Sequence, residues 1–442
     1  MKKVNTIYES SALNSQPTLT RRGFLAQTSA AAGGILIFDQ LFGRAVAAND
    51  KLNIGVVGVA GRGGSNLRGV SGENIVALCD VDATRLAAAK KAHPKAATYI
   101  DWRKMLERKD LDAVVCSTPD HTHAIVGVNA MKTGHHLYCE KPLTHTVSEA
   151  RAMAVTAAKH KRVTQMGTQI HAGDNYRRVV ELVRSGAIGP IKEVHVWAGA
   201  SYGQVAIAKP SVPPENLDYD LWLGPLPYRP FRKGYAPFAW RNFWVFGGGT
   251  LADFWCHYSD LAFWALDLKY PNTVHCHTGK ARPERTTVRM RVKYEYPARG
   301  KQPPVALHWY QGGDKPERLT DEQRKKWGSG VLFIGAKGEL YSSYGGHTLM
   351  PADKFKGFKP PKQSIPKSIG HLAEWIKACK DGGQTTCHFG YAGPLTESAL
   401  LGIVSHRVGN KLLKWDAEKL KATNCPEADE FINHKYRKGW SL

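Results

Sequence analysis

Short, mostly apolar segments alternate with helix-like segments in the first third of the chain. The apolar runs lie at residues 51–57, 74–79, 111–117 and 134–139. Strands that are apolar at nearly every position are typical of a parallel sheet covered by helices on both faces. The pattern therefore predicts repeated strand–helix units over residues 51–142 and an α/β fold in this part of the protein.

A different pattern occupies the second half of the chain. Residues 287–294 and 305–310 alternate between polar and apolar side chains. Such strands have one buried and one exposed face and are typical of antiparallel sheets. Amphipathic helices are predicted at 371–378 and 394–411. These elements predict a C-terminal α+β domain built on a large, mostly antiparallel open sheet.

A glycine-rich turn follows the first predicted strand. Gly58, Ala60 and Gly63 occupy the three positions of the dinucleotide fingerprint Gly-x-Gly-x-x-Gly, with alanine in place of the second glycine. Gly61 and Gly64 come one residue later. The turn follows a strand and opens a helix, which is the context that the fingerprint requires. It predicts that a dinucleotide pyrophosphate lies on the helix N-terminus, where free N–H groups and the helix dipole favour anions.

The second predicted strand ends at an acidic residue, Asp80. An acidic side chain about 20 residues after the glycine turn accepts hydrogen bonds from the adenosine ribose of a bound dinucleotide. The same carboxylate would repel a 2′-phosphate, so the sequence favours NAD over NADP. Arg62 and Arg85 keep NADP open as an alternative.

The fourth predicted strand ends in Glu140-Lys141-Pro142. Proline fixes φ and removes a backbone donor, so the chain leaves the sheet in a defined direction. Lys141 would then project over the carboxyl ends of the strands, where doubly wound sheets bind ligands. An isolated triplet of this kind is more often a surface turn, but the glycine turn upstream favours a functional lysine.

A second candidate site lies in a predicted helix that follows three glycines. Thr250 can cap this helix, and Asp253 and His257 are four residues apart, so they share one helix face. A carboxylate one turn before a histidine can orient the ring and tune its pKa, and His257 could then exchange a proton with a substrate hydroxyl. The alternatives are a surface pair or a buried structural histidine. Since the sequence places no third ligand beside them, we predict no metal site.

Five segments together resemble the glucose–fructose oxidoreductase and inositol dehydrogenase (Gfo/Idh/MocA) family. They lie at residues 77–82, 117–124, 140–142, 184–189 and 247–260. The resemblance implies an N-terminal Rossmann domain, a C-terminal substrate domain and NAD(P)-dependent oxidoreductase activity. It also implies that the open face of the C-terminal sheet makes a homo-oligomer, either a dimer or a tetramer.

The resemblance also implies roles for individual residues. Lys141, Asp253 and His257 would be catalytic: Lys141 holds or polarises the reacting oxygen, and His257 moves its proton while hydride passes between the carbon and the nicotinamide. The cofactor-binding residues that the motifs and the resemblance indicate are Gly58, Ala60, Gly61, Arg62, Gly63, Asp80, Thr118, Pro119, His121, His123, Glu140, Lys141 and Gln169.

Residues 167–176 lie at the predicted domain junction, and in the family the matching segment lines the cofactor and substrate pocket. The family often has arginines where Ile170 and His171 stand, so the identity of the substrate stays open. His171 is a candidate substrate contact, with a solvated loop histidine as the alternative. The candidate substrate-binding residues are Lys141, His171, Arg241, Asp253 and His257.

A long segment at residues 201–246 is rich in proline, tyrosine and tryptophan. Trp222, Tyr228, Trp240 and Trp244 could stack on the faces of a sugar. Aromatic residues in such a segment are at least as often packing residues.

The net charge bears on the choice of partner. The 442-residue chain has a formal charge of +23, spread without a long Lys/Arg block. It has no zinc-finger spacing and no RNA-binding signature, so the predicted partner is a small carbohydrate and not a nucleic acid. An acidic ligand or a basic exported surface explains the charge equally well.

The first 48 residues resemble a twin-arginine signal peptide, with a disordered basic N-terminus as the alternative. Arg21 and Arg22 precede a mildly apolar run at 30–38, and small residues at 45–48 fit a cleavage site. The run is too short for stable membrane insertion. Together with the twin-arginine pattern and the cleavage site, it predicts an exported, periplasmic protein. The predicted segments are a signal peptide at 1–48, a Rossmann domain at 49–169 and a substrate and oligomerisation domain at 170–442.

Eight cysteines are present, none with Cys-x-x-Cys spacing. Cys379 and Cys387 flank a Gly-Gly loop. In an oxidising compartment they could form a disulfide, and two free thiols are the equal alternative.

Three functions fit these features. The first is an oxidoreductase for a hydroxyl of a sugar, polyol or glycoside, with a tightly bound dinucleotide recycled on the enzyme, because free NAD is not expected outside the cytoplasm. The second is a redox-neutral glycoside hydrolase that oxidises, eliminates, hydrates and reduces; the Glu-Lys-Pro triplet favours the first. The third is a non-catalytic sugar-binding protein, which the intact set of Lys141, Asp253 and His257 argues against.

Overall fold

The computed structural model describes residues 51–442, so the predicted signal peptide lies outside the described residues. The N-terminal part has six strands, β1 (Asn53–Val57), β2 (Asn74–Cys79), β3 (Ala97–Tyr99), β4 (Ala113–Cys116), β5 (His136–Glu140) and β6 (Thr164–Gly167). Its helices are α1 (Arg62–Gly69), α2 (Ala83–Ala92), α3 (Trp102–Met105), α4 (Asp120–Lys132) and α5 (Val147–Lys159).

The six strands form one sheet in the order β3-β2-β1-β4-β5-β6, and every neighbouring pair is parallel. Strand β4 is buried at every position, as the apolar run at 111–117 predicted, and the edge strand β6 is buried at every position as well. The strand order reverses between β1 and β4, where doubly wound sheets bind their ligands. The predicted Rossmann domain is therefore confirmed.

The C-terminal part contains nine strands and seven helices among the described residues. The strands are β7 (Ile191–Ala198), β8 (Thr273–Cys276), β9 (Met290–Tyr296), β10 (Val305–Gln311), β11 (Gly330–Gly335), β12 (Gly338–Ser342), β13 (His347–Met350), β14 (Leu413–Asp416) and β15 (Lys421–Ala422). The helices are α6 (Asp174–Arg184), α7 (Tyr219–Leu223), α8 (Gly249–Leu266), α9 (Asp321–Lys326), α10 (His371–Asp381), α11 (Phe389–Arg407) and α12 (Asp429–Ile432).

These strands form a sheet in the order β13-β12-β11-β7-β10-β9-β8-β14-β15. Only the β7–β10 pair is parallel, so the predicted mostly antiparallel sheet is confirmed. Strands β9 and β10 alternate buried and more exposed positions. One face of the sheet packs on helix α8, where Trp255 meets Tyr294 and Trp309 with ring centroids 4.7 and 5.8 Å apart.

Helix α11 joins the two parts of the molecule, since it packs on both α5 and α8. Arg151 of α5 makes two 2.9 Å hydrogen bonds to the carboxylate of Glu397 in α11. Burial raises the pKa of Glu397 to about 7, although the guanidinium opposes that shift. The Rossmann domain is thus held against α11, which itself packs on α8, the helix that carries Asp253 and His257.

Residues 201–246, called the cover segment below, have an apolar core of their own. Trp222 and Trp240 are buried in or against this core, and Trp244 is buried beside it. Packing, which was the alternative to stacking on a sugar, therefore uses most of the surface of these three rings, and Trp222 and Trp240 also line a cavity. Tyr228 is 72% exposed, and its ring remains accessible.

Two further predictions concern thiols and membranes. All eight cysteines are buried free thiols, so Cys379 and Cys387 are not paired in this structure. Within residues 51–442, no helix combines the length and hydropathy that a bilayer span requires.

Candidate active site

The glycine turn between β1 and α1 is tightly packed on one side and open on the other. A Cβ atom on Gly63 would lie 1.9 Å from the carbonyl oxygen of Gly58, so α1 can begin this close to β1 only with glycine. Gly61 has φ +58°, and a Cβ there would have no neighbour within 4 Å. In the fingerprint, the second glycine lets the backbone approach the pyrophosphate closely, and this chain has Ala60 at that position. Gly61, the next residue, therefore provides the uncovered backbone in its place.

A cavity of about 300 Å³ opens in front of this turn. Helix α1 begins beside it without a side-chain cap, so the N–H groups of its first turn are not used by a capping side chain. Open backbone, an uncapped helix N-terminus and a cavity together fit the pyrophosphate of a dinucleotide. The predicted cofactor-binding residues that line the cavity are Gly58, Ala60, Gly61, Arg62, Asp80, Thr118 and Pro119.

Asp80 reaches this cavity from the end of β2. Its two carboxylate oxygens accept hydrogen bonds from the backbone N–H groups of Val59 and Asp82, both at 3.0 Å. Burial raises the pKa of Asp80, and the two backbone donors oppose this effect. Arg85 pairs with Asp82 at 3.3 Å and not with Asp80. The carboxylate is therefore fixed at the position where the ribose of a dinucleotide is expected.

Glu140 and Gln169 do not line the cavity but hold α1 in place. Glu140 accepts hydrogen bonds from Asn66 of α1 at 2.8 Å and from Gln169 at 3.0 Å. Gln169 in turn accepts one from Arg62 at 3.0 Å. These two predicted cofactor contacts are therefore better described as positioning residues for the N-terminal turn of α1.

His121 and His123 are also corrected by the structure. Both are about 1% exposed. His121 Nε2 lies 2.9 Å from the carbonyl oxygen of Trp222, and His123 contacts the carbonyl oxygens of Pro142 and Thr118 at 2.9 and 2.8 Å. Burial lowers the pKa of His121 to about 3 and that of His123 to about 4. His123 holds the turn that carries Lys141, His121 contacts the cover segment, and neither histidine lines the cavity.

Lys141 and Asp253 form a buried ion pair between the two domains. Lys141 Nζ lies 2.5 Å from Asp253 Oδ1 and 3.1 Å from the backbone oxygen of the same residue. The two residues are 9% and 5% exposed. The turn that was predicted to deliver Lys141 over the strand ends therefore brings it to the helix that carries the other candidate residues.

Arg241 and Tyr202 complete the surroundings of Asp253. Arg241 Nε donates to Asp253 Oδ1 and the Tyr202 hydroxyl donates to Oδ2, both at 3.0 Å. Burial acts to raise the pKa of Asp253, but the Lys141 and Arg241 cations outweigh it and hold the pKa well below its usual range. Arg241 was predicted from the sequence. Tyr202 was missed, because nothing in its local sequence distinguishes it from other aromatic residues of the cover segment.

His257 shares the helix face of Asp253 but is not hydrogen-bonded to it in the described structure. The expectation that Asp253 orients His257 is therefore wrong, because both carboxylate oxygens are taken by Lys141, Arg241 and Tyr202. Burial and the Lys141 cation lower the pKa of His257 to about 3, against the opposing effect of Asp253. Among the described residues neither ring nitrogen has a hydrogen-bond partner.

Asp120 is a buried acid near this site that the sequence analysis did not single out. It is 2% exposed, and its Oδ1 atom has no hydrogen-bond partner among the described residues. Burial raises its pKa to about 8, while the Arg241 and Lys141 cations pull in the other direction. Its position could have indicated a role, because it lies at the start of α4, directly after Pro119, in the segment 117–124 that resembles the family.

His171 lies away from this cluster. It is 1% exposed, its Nδ1 atom is 3.0 Å from both carboxylate oxygens of Asp260, and its ring stacks on Trp264 at 4.0 Å. The prediction that it contacts substrate is wrong, because α8 buries it. Asp260 and Cys387 lie close to it. Since the Tyr391 hydroxyl also donates to Asp260 at 2.7 Å, the contacts of this group are those of a packed hydrogen-bond network.

Comparison with known proteins places these features in a family. The family model described as "Oxidoreductase family, NAD-binding Rossmann fold" (GFO_IDH_MocA) matches residues 52–168. The model described as "Oxidoreductase family, C-terminal alpha/beta domain" (GFO_IDH_MocA_C2) matches residues 175–302. Together the two matches span more than half of the chain.

Curated relatives match a shorter region. An inositol 2-dehydrogenase of Salmonella typhimurium is 31% identical over 150 residues, which are 33% of this chain and 45% of that protein. A glycosyl hydrolase family 109 protein of Solibacter usitatus is 33% identical over 168 residues, 35% of this chain and 37% of that protein. The matched region thus spans less than half the length of these relatives.

Solved structures share the fold across most of the described chain. The WlbA dehydrogenase of Bordetella pertussis, crystallised with NADH and UDP-GlcNAcA, has a TM-score of 0.58 at 17% identity, covering 83% of this chain and 99% of that one. The aldose–aldose oxidoreductase of Caulobacter crescentus has a TM-score of 0.55 at 16% identity, covering 83% and 100%. With both family models matched and both domains present, the chain belongs to the Gfo/Idh/MocA oxidoreductase family.

Proposed function

We propose that the protein is an NAD(P)-dependent oxidoreductase that acts on a hydroxyl group of a sugar, polyol or glycoside. One observation carries the proposal: the Rossmann domain contributes Lys141, the C-terminal domain contributes Asp253, and the two meet in a buried ion pair. Arg241 connects this pair to the dinucleotide cavity, because it lines the cavity and donates to Asp253. The inositol dehydrogenase and sugar oxidoreductases among the similar proteins support the substrate class.

The residues of the cavity fit NAD. The turn from Gly58 to Gly63 would hold the pyrophosphate, and Asp80 would accept hydrogen bonds from the adenosine ribose. Arg85 is paired with Asp82, and the carboxylate of Asp80 at the cavity would repel a 2′-phosphate, which supports NAD over NADP. When bound, a nicotinamide dinucleotide accepts or returns a hydride.

Lys141 is the group that would hold the reacting oxygen. A lysine ammonium has three N–H donors, and two of them are directed at Asp253. The third has no partner among residues 51–442 and could donate to the substrate hydroxyl. As that hydroxyl becomes a carbonyl, negative charge that develops on its oxygen is stabilised by the adjacent cation, whose own position is fixed before substrate arrives.

His257 is the group that would move the proton. Because burial and Lys141 lower the pKa of His257 to about 3, the ring is neutral at pH 7, which is the state that a proton acceptor requires. The ring nitrogens have no protein partner among the described residues, so one can meet the substrate without breaking an existing hydrogen bond. Asp253 serves this step indirectly, by anchoring Lys141.

The proposal is tested with the Lys141→Met variant. Substrate-driven reduction of the dinucleotide is followed by absorbance in a single turnover, with a panel of sugars and polyols. The variant is expected to react about 100-fold more slowly or worse, the scale seen when one charge-stabilising group is removed. Dinucleotide binding should persist, since Lys141 does not line the cavity.

Lys104→Met is the matched control, because its side chain is exposed in α3 and pairs only with exposed Glu107. It is expected to react at the wild-type rate. A folded Lys141→Met protein that also reacts at the wild-type rate would disprove the assigned role.

A redox-neutral glycoside hydrolase is the second candidate. The 33% identity to a glycosyl hydrolase family 109 protein favours it. In this reaction a ring hydroxyl is oxidised, the glycosidic substituent leaves by elimination, water adds, and the hydride returns to the ketone. Release of aglycone from an aryl glycoside, with no net change in dinucleotide oxidation state, would identify this activity. A keto-sugar product would identify the first.

We also propose export to the periplasm by the twin-arginine route. The pattern of Arg21 and Arg22 followed by a short apolar run and small residues at 45–48 supports it. The route carries folded proteins, so the dinucleotide would be loaded before export and recycled on the enzyme. Replacing Arg21 and Arg22 with lysine and fractionating the cells tests this proposal: the variant should remain in the cytoplasm.

We further propose a homo-oligomer formed through the open face of the nine-stranded sheet. This face carries His195, His308 and Tyr310 with Glu193 beside them. A Tyr310→Glu substitution should dissociate such an assembly, and analytical ultracentrifugation measures the outcome. A wild-type protein that sediments as a monomer would rule it out.

A further inference from the structure

The cover segment supplies a second wall to the dinucleotide cavity. Doubly wound sheets bind dinucleotides in a crevice outside the carboxyl ends of the strands. Here the glycine turn and Asp80 line one side of that crevice, and the opposite side comes from the C-terminal domain. The cover residues that face the cavity include Asn216, Leu217, Leu221, Phe238, Trp240 and Arg241.

A short seam fastens the cover segment to the Rossmann domain directly after Asp80. The backbone N–H of Ala83 donates to the carbonyl of Asn216 at 2.8 Å, and that of Asp218 donates to the carbonyl of Val81 at 2.9 Å. The Asn216 side chain adds a 2.8 Å hydrogen bond to Asp82. Because this seam lies beside the carboxylate expected to bind the ribose, it closes the adenosine end of the cavity.

The C-terminal tail holds the same cover segment from outside. The guanidinium of Arg437 makes an ion pair with Asp220 and donates to the carbonyl of Gly224 at 2.7 Å. The backbone N–H of Arg437 donates to the carbonyl of Pro225 at 2.9 Å. These bonds and the apolar core of the cover segment together hold the segment in one position beside the cavity.

We infer that residues 214–241 are part of the dinucleotide-binding site and that the seam at residues 81–83 slows the release of the bound dinucleotide. The inference rests on the proposed function, since it requires a dinucleotide in the cavity. Its consequence is slow exchange: the bound dinucleotide stays with the protein through many turnovers. The residues responsible lie outside the glycine fingerprint.

The test compares dinucleotide exchange in wild-type protein and in a double variant, Asn216→Ala with Arg437→Ala. Purified full-length protein is loaded with radiolabelled NAD, desalted and mixed with excess unlabelled NAD, and loss of label is timed. Each substitution removes hydrogen bonds that involve a charged group, so label should leave the double variant at least about tenfold faster. The Arg437→Ala single variant, whose Asp220 partner is exposed, gives a smaller increase and is the fallback if the double variant does not fold.

Arg318→Ala is the control, because Arg318 makes an ion pair of the same kind with Glu339 on the C-terminal sheet. It should exchange label at the wild-type rate. Label that leaves wild type as fast as it leaves the double variant would overturn the inference while leaving the proposed function intact. Wild-type protein that binds no NAD at all would instead count against the proposed function.

Discussion

Replacing Asp253 with asparagine tests the central ion pair most directly. The substitution keeps the size of the side chain but removes the charge that neutralises Lys141 and Arg241. Lys141 is 9% exposed and Asp253 is 5% exposed, so solvent cannot replace the lost partner. Breaking a buried pair in this way typically costs about 3–5 kcal/mol, because a buried charge is left uncompensated.

The expected loss converts to a lower melting temperature. For a protein of this size roughly 1 °C is lost per kcal/mol, so Asp253→Asn should melt roughly 3–5 °C below wild type at pH 7. The change is measured by differential scanning calorimetry on dinucleotide-free protein. Hydride transfer should fall as well, since Lys141 loses the group that fixes its position.

The pH dependence of stability gives a second measurement of the contribution of the Asp253 charge. The pKa of Asp253 is depressed in the folded protein. Its charge therefore stabilises the fold above the unfolded-state pKa of about 4, and this contribution is lost as pH falls below that value. The difference between wild type and Asp253→Asn should thus be constant from pH 5 to 8 and shrink below about pH 4.

Asp267→Asn provides the comparison, because Asp267 follows the same helix but pairs with Arg184 on the surface. Exposed pairs contribute about 1 kcal/mol or less, so this variant should melt within about 1 °C of wild type. If Asp253→Asn melts as closely to wild type as Asp267→Asn does, the buried pair does not stabilise the junction and the argument fails.

The remaining predictions concern the glycine turn and the second buried acid. Gly63→Ala should abolish NAD binding in equilibrium dialysis, because the added Cβ would lie 1.9 Å from the carbonyl oxygen of Gly58. Gly72→Ala should bind NAD normally, because its Cβ would meet no atom of the described residues within 4 Å. Equal binding by the two variants would contradict this account. Burial raises the pKa of Asp120 to about 8, so the folded protein favours the protonated carboxyl. The free energy of unfolding that Asp120 contributes is therefore fully present below about pH 4 and is lost as pH rises towards 8. Asp120→Asn should therefore gain stability over wild type between pH 5 and pH 8 in urea titrations, and a pH-independent difference would refute the assignment.

Local patterns in the sequence were sufficient to predict which strands and which turn form the dinucleotide cavity. Uniform apolarity is a property of each buried parallel strand by itself, and the turn from Gly58 to Gly63 is a contiguous motif. The end of β2 at Asp80 and the end of β5 at Lys141 follow from the same pattern. Since these positions are set by strand ends of one sheet, their mutual arrangement could be predicted without knowing the rest of the fold.

The partners of the catalytic candidates could not be predicted in the same way. The four-residue spacing of Asp253 and His257 gave a shared helix face, but Lys141 and Tyr202 approach Asp253 from distant parts of the chain. Once they occupy the carboxylate, it no longer serves His257. His171 shows the same limit, since its burial is decided by Asp260 and Trp264 in a helix about 90 residues away.

The aromatic residues of the cover segment illustrate a different limit. Trp222 and Trp240 have large apolar rings that suit a sugar face and a protein core equally well. Composition does not decide between the two uses. Only the three-dimensional packing of residues 201–246 does, and it buries these rings.

Arg241 makes the two binding events at this site interdependent. It lines the dinucleotide cavity and donates to Asp253, which also holds Lys141. We expect a ligand with negative charge in the cavity to compete for Arg241, and Asp253 would then interact more strongly with Lys141. Because the coupling free energy between two sites is reciprocal, a substrate that engages Lys141 changes the affinity of the cavity for its ligand by the same factor. A single guanidinium would thus link the affinity for the dinucleotide to the affinity for the substrate.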